Sequence, residues 1–397
     1  MKRVSQRLDR LPGSATLAIS TRAREMRAEG RDVVSFGAGE PDFPTPEHIV
    51  AAAQGAATDP GNHHYSANAG LQPLREAIAE YTKTYSGVPV DPSQILVTNG
   101  AKQAIFQSFA ALIDPGDEVL LPAPHWVTYP AGIELAGGTP VSVPTSMSDG
   151  FLVSVDQLEA HRSDKTKLLV FVSPSNPTGA VYAEEEARAI GEWARDNDVW
   201  IVADEIYQRL IYGSRHGEAQ AAPSIARITD GLEKVIIVNG VAKSFAMTGW
   251  RVGWMSGPAD VVGAAARYQS HATGNVNNVA QMAAVAALTG PQETVLAMRA
   301  AFDKRRQTMC AMLASAPGVA CHEPEGAFYV FPSVAELLGT KYPTSAALAE
   351  GLLEEAGIAV VPGESFGAPE HIRLSYALSD DDLERGVERM LAMFGSL

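Results

Sequence analysis

Five short runs of aliphatic and β-branched residues, Ile95 to Thr98, Glu118 to Pro122, Leu168 to Val172, Trp200 to Ala203 and Lys234 to Val238, alternate with longer segments of helical period. Strands spaced by helix-length segments pair by crossing over, so the pattern predicts an α/β fold with a mainly parallel sheet. Each run ends in a polar or glycine-containing turn. In an open α/β sheet such turns, at the carboxyl ends of the strands, line the ligand crevice. The chemistry is therefore expected there.

A chain of 397 residues exceeds one ordinary hydrophobic core. From about Thr289 the pattern changes, with amphipathic stretches at Ala297 to Ala314 and Asp380 to Phe394 flanking short runs at Ala327 to Phe331 and His371 to Tyr376. A smaller α+β domain is expected over 289–397, a large domain over 46–288, and an arm and helix over 1–45 packing on the small domain. The formal charge of −15 leaves no basic face for nucleic acid or an anionic membrane, and points to small solutes. No run reaches the ~18 apolar residues of a membrane span, and the opening MKRVSQRLDRLPGSATLAIS lacks a sustained apolar h-region, so a cytoplasmic location is expected. Cys310 and Cys321 match no zinc or disulfide spacing and are read as incidental thiols.

Chemistry begins in VIIVNGVAKSFAMTGWRVGW, where an apolar strand runs into a loop holding Lys243 and, further on, Arg251. Apolar neighbours Val241, Phe245, Met247 and Trp250 desolvate the lysine and favour its neutral, nucleophilic amine. Arg251 offers a fork of donors suited to phosphate. In VWIVADEIY, Asp204 closes a buried strand, where it is either a helix cap or a carboxylate for a ring nitrogen; Tyr207 follows. Asn176 in SPSNPTG is either a turn former or a polar ligand. The NGAKQAIF turn opens a helix with free backbone N–H groups, an anion site. In APHWVTYP, Trp126 is either core or a stacking platform.

The segments GAGEPDFPTP, HHYSANAG, VTNGAKQAI, PHWVTYP, SPSNPTG, VADEIY, AKSFAMTGWRVG and IRLSYA, in this order, resemble the class I aminotransferases of pyridoxal-phosphate (PLP) fold type I, nearest to the bacterial aspartate/prephenate branch. The resemblance covers roughly Ser14 to Tyr376. It implies a seven-stranded large-domain sheet, PLP as cofactor, and ping-pong transfer of the amino group of aspartate to 2-oxoglutarate. By the same resemblance Lys243 is the Schiff-base lysine and proton shuttle, Asp204 the partner of the pyridine nitrogen, and Tyr207 and Asn176 the partners of the phenolic oxygen. Trp126 stacks on the ring. Gly100, Ala101, Lys102 and Arg251 hold the phosphate, with Tyr65 reaching in from a second subunit, which implies a homodimer with shared sites. Arg373 binds the substrate α-carboxylate with Gly39 and Asn176, and Lys102, Ser14 and Thr16 face the distal carboxylate.

Three features depart from relatives. Gly240 stands where many carry a phosphate-binding serine, SHATGNVNNVAQ lacks the arginine of the animal-type enzymes, and Pro12 or Gly13 replaces a basic residue of some prephenate-competent members. Lyases acting through the same cofactor share nearly all these residues. A cofactor-sensing regulator would need a DNA-binding module that the sequence does not show, and GAGEPD lacks the third glycine of a dinucleotide fingerprint.

Overall fold

The structure is a computed structural model describing residues 3–9, 11, 13, 15–213, 217, 219–229 and 231–397, with the backbone alone for residues 7 and 15–17. Its centre is a seven-stranded sheet of β1 (Ile95–Thr98), β2 (Glu118–Ala123), β3 (Thr139–Pro144), β4 (Thr166–Val172), β5 (Trp200–Asp204), β6 (Val235–Gly240) and β7 (Gly253–Ser256). The spatial order is β1-β7-β6-β5-β4-β2-β3, and only β7 runs antiparallel to its neighbours. Helices on both faces bury the central strands, which explains their continuous rather than alternating apolar character.

The sequence pattern misses two strands. β3 carries Pro140 and Pro144, which break the apolar run; it lies at the sheet edge, where a missing N–H donor is tolerated. β7 is four residues long and opens on a glycine packed so closely that a Cβ on Gly253 would lie 2.4 Å from the Ala101 nitrogen.

Register matters more than strand count for the site. Val172 pairs with Asp204, and Asp204 with Val238, so the ends of β4, β5 and β6 are level. The turns that follow, with Asn176, Tyr207 and Lys243, therefore open on one side of the sheet.

A second core gathers Phe302, Phe328, Tyr376, Leu383 and Met390 with Val34 and Phe36 from the amino-terminal region. Around it, Tyr329–Val330, Val361–Pro362 and Ile372–Ser375 form a three-stranded antiparallel sheet. Val34–Ser35 pairs in parallel with Ile358–Ala359, and Ala23 and Met26 of the helix Ala15–Ala28 pack on Leu353 and Ala359. The last helix, Asp380–Phe394, starts where its pattern predicts: Ser379 accepts from the Asp382 N–H at 3.2 Å and three aspartates complement the helix dipole. Among the described residues no helix is long and apolar enough to cross a membrane.

Candidate active site

A cavity of about 670 Å³ opens where β4 and β5 end, lined by Val172 and Asp204 from the strand tips. Gly39, Ala101, Lys102, Trp126, Asn176, Tyr207, Lys243, Arg251 and Arg373 also line it. Residues dispersed over more than 330 positions thus converge on one space, as level strand ends require.

Lys243 follows β6 in a turn and aims its amine into the cavity, where it donates to the Gly39 carbonyl. Its amine lies 5.8 Å from the ring centroids of Tyr207 and Phe328. Burial lowers its pKa to about 8, with Arg373 and Arg251 acting in the same direction and Glu40 and Asp204 opposing them. A neutral amine is thereby accessible near physiological pH.

Asp204 is 4% exposed. Its carboxylate accepts from Tyr129 Oη at 2.8 Å and from the Ile206 N–H at 3.1 Å. Burial raises its pKa on balance, with these two donors and the nearby Lys243 amine opposing the rise. Tyr207 Oη shares a 2.8 Å hydrogen bond with Tyr329 Oη, and burial keeps its phenol protonated.

Across the cavity Arg373, 2% exposed, is fixed from its back. It donates to Asn176 Oδ1 at 3.1 Å and to the Gly37 carbonyl at 3.0 Å, and its guanidinium lies 4.5 Å from the Tyr329 ring. Burial lowers its pKa, yet no carboxylate neutralises it among the described residues, and its Nε has no partner there. A buried, unneutralised guanidinium at a cavity wall is a site for an anion brought from outside.

Arg251, at φ 56°, donates to the carbonyls of Thr248 (2.9 Å) and Asn99 (3.1 Å) and covers Gly100. Gly100 has φ 85°, and a Cβ there would lie 2.5 Å from Arg251 Nη2. Glycine is therefore required where the backbone turns into the helix Ala101–Leu112, whose free N–H groups face the same cavity. Lys102, an exposed side chain, places its amine 4.9 Å from the Trp126 ring, and partial burial with Arg251 lowers its pKa. Trp126 in turn meets Tyr129 edge-on at 5.5 Å.

Of the remaining expected residues, Tyr65 is 98% exposed and does not line its own chain's cavity. Ser14 and the side chain of Thr16 lie outside the described residues. The sequence reading omits Tyr129 and Tyr329, which orient Asp204 and Tyr207, and Glu40, which bonds Thr248 at 2.8 Å beside the lysine. Tyr129 was within reach, three residues after Trp126 in PHWVTYP; Tyr329 belongs to an apolar run indistinguishable from core.

Behind the sheet end, Glu205 is also buried. It accepts from Ser86 Oγ (2.9 Å), Ser224 Oγ (2.5 Å) and Gln208 Nε2 (3.1 Å), and burial pushes its pKa up to about 7. It tethers three chain segments beneath the turn that carries Tyr207.

The pattern of the aminotransferase class I and II family matches residues 31–390. The chain is 54% identical to an aspartate aminotransferase of Streptomyces avermitilis, over 98% of this chain and 96% of that one. It is 44% identical to an aspartate aminotransferase of Bacillus subtilis, over 98% of each. The crystal structure of aspartate aminotransferase from Thermus thermophilus with maleate superposes with a TM-score of 0.92 at 40% identity, covering 99% of this chain and 100% of that one.

Proposed function

As the chain belongs to the aminotransferase class I and II family, we propose that it transfers the amino group of aspartate to 2-oxoglutarate, giving oxaloacetate and glutamate, with PLP as cofactor. The arrangement that carries this reading is the convergence of a lowered-pKa amine (Lys243), a buried carboxylate (Asp204) and an unneutralised guanidinium (Arg373) on one cavity. The donor set fits the cofactor: an anion cradle at Gly100 and Arg251 for a phosphate, a carboxylate for a ring nitrogen, and an amine for an aldehyde.

Bound PLP supplies an electron sink for the charge left when the substrate Cα loses its proton. Lys243, whose amine lines the cavity, would hold the aldehyde of the cofactor and, once freed, would serve as the base for the proton at the substrate Cα. Asp204, which accepts from Tyr129 Oη and the Ile206 N–H, would partner the ring nitrogen of the cofactor. Tyr207 and Asn176 would hold the phenolic oxygen of the cofactor, and Trp126 would offer its ring a stacking face. Gly100, Ala101 and Lys102 offer backbone N–H groups to the phosphate beside Arg251. Arg373 takes the α-carboxylate in bidentate fashion, with Gly39 and Asn176 beside it. Lys102 takes the distal carboxylate. That one relative is solved with maleate, a four-carbon dicarboxylate, supports this assignment.

The exposed Tyr65 supports a homodimer in which this residue reaches the partner's phosphate site. A large domain of 46–288, a small domain of 289–397, an arm and helix of 1–45 and a cytoplasmic location complete the reading. The test is one half-reaction. Aspartate alone should convert the bound aldehyde form of the cofactor to its amine form, 2-oxoglutarate should restore it, and borohydride should fix the chromophore to Lys243. Aspartate consumption with no amine form accumulating would assign the chain to the lyases instead.

A further inference from the structure

The connection formed by residues 241–252 carries both Lys243 and Arg251, and its backbone is strained. Ala246 has φ 51° and Arg251 φ 56°, in the left-handed region that favours glycine. Its own hydrogen bonds near the lysine are long, with the Ala246 N–H reaching the Lys243 carbonyl at 3.4 Å and the Phe245 N–H the Val241 carbonyl at 3.3 Å. A turn of this kind keeps its shape only where its surroundings over-determine it.

Residues 39–45 supply those surroundings. The half-buried Thr45 sets one hydroxyl between two points of the connection, donating to the Ala246 carbonyl at 2.7 Å and accepting from Trp250 Nε1 at 3.0 Å. A hydroxyl has one proton and two lone pairs, and an indole N–H only donates, so both bonds form together. Ala246 follows Lys243 by three residues, and Trp250 immediately precedes Arg251. Glu40 adds a third tie, accepting from Thr248 Oγ1 at 2.8 Å. The segment is in turn anchored to the second core. Arg305 Nη1 reaches both oxygens of Asp42, at 2.9 Å and 3.0 Å, and Phe43 meets the buried Phe302 edge-on at 5.5 Å.

We propose that Thr45 is a positioning residue for the reaction, fixing the spacing between the Lys243 amine and the Arg251 guanidinium; this rests on the reading of both as cofactor-binding groups. Thr45 does not line the cavity, so it acts through the connection alone. The bond from the Lys243 amine to the Gly39 carbonyl cannot take over this task, because the amine must move when it reacts. Thr45 holds the backbone on either side of that motion.

Thr45→Val keeps the side-chain shape and removes both bonds, whereas Thr45→Ser keeps the hydroxyl. In the full chain without cofactor, hydrogen–deuterium exchange over residues 241–252 should be faster in Thr45→Val than in wild type. With PLP added, that variant should bind it about tenfold more weakly and turn over aspartate with a kcat about tenfold lower, the scale of one neutral hydrogen bond. The KM for aspartate should stay within about twofold, because Arg373 is held by other residues. Thr45→Ser should restore exchange, PLP affinity and kcat together. The role of Thr45 is overturned if Thr45→Val matches wild type in exchange and PLP affinity, or if Thr45→Ser is as impaired as Thr45→Val. A wild-type protein that takes up no PLP would instead overturn the functional reading itself, and the role of Thr45 in the reaction with it.

Discussion

Asp204 and Glu205 are adjacent carboxylates at the tip of one strand, both 4% exposed and both with pKa values raised by burial. Strand alternation sends them to opposite faces, and their partners differ accordingly. Asp204 faces the cavity with one phenol and one backbone N–H as donors, which leaves acceptor capacity for a ligand. Glu205 faces the back of the sheet, where two hydroxyls and an amide occupy it. Burial and perturbed titration alone therefore do not mark a catalytic group; unspent hydrogen-bonding capacity toward a cavity does.

The largest expected effect sharpens the first half of that contrast. Asp204→Asn should lower kcat/KM for aspartate by about three decades, the scale of about 4 kcal/mol for losing a buried charge partner, with the unfolding midpoint within about 2 °C of wild type. Glu205→Ala should do the reverse. Its three donors lose their acceptor at a cost of about 3 kcal/mol in stability, while kcat/KM falls less than about tenfold. Denaturant unfolding and steady-state kinetics on the same preparations check both, and equal losses of turnover would erase the division of roles.

The pH dependence refines it further. Glu205 has a folded pKa of about 7, above the ~4.3 of an unfolded glutamate. Its contribution to stability is therefore fully present below pH ~4.3 and is lost as pH rises through 7. Glu205→Gln should flatten that decline across pH 5 to 8 in thermal unfolding; an unchanged slope would contradict the assignment. The smallest effect concerns Lys102, whose side chain is exposed, so its charge is screened and Lys102→Ala should cost aspartate turnover about tenfold. Loss of discrimination between aspartate and a neutral amino acid is the readout.

The contrast also explains what the sequence could reveal. The five apolar runs predict five of the seven sheet strands because buried parallel strands are continuous in pattern, and Lys243, Asp204, Asn176 and Arg251 follow them in the turns. β3 escapes because its prolines mimic a loop, and β7 because four residues carry too little pattern. Tyr129, Tyr329 and Glu205 escape for another reason. Each acts through a partner distant in sequence, 75 positions for Tyr129 and Asp204 and 122 for Tyr207 and Tyr329, so no local window contains the pair.

β7 has a consequence for the order in which the site can be assembled. Because it runs antiparallel to β6, residues 241–252 are a hairpin connection, and that single connection holds both Lys243 and Arg251. Closing a short loop costs little chain entropy, whereas bringing β4, β5 and β6 level requires long crossovers. The spacing between the amine and the guanidinium is thus encoded by local zippering and can be established before the carboxylate arrives, leaving Asp204 as the element whose docking completes the site.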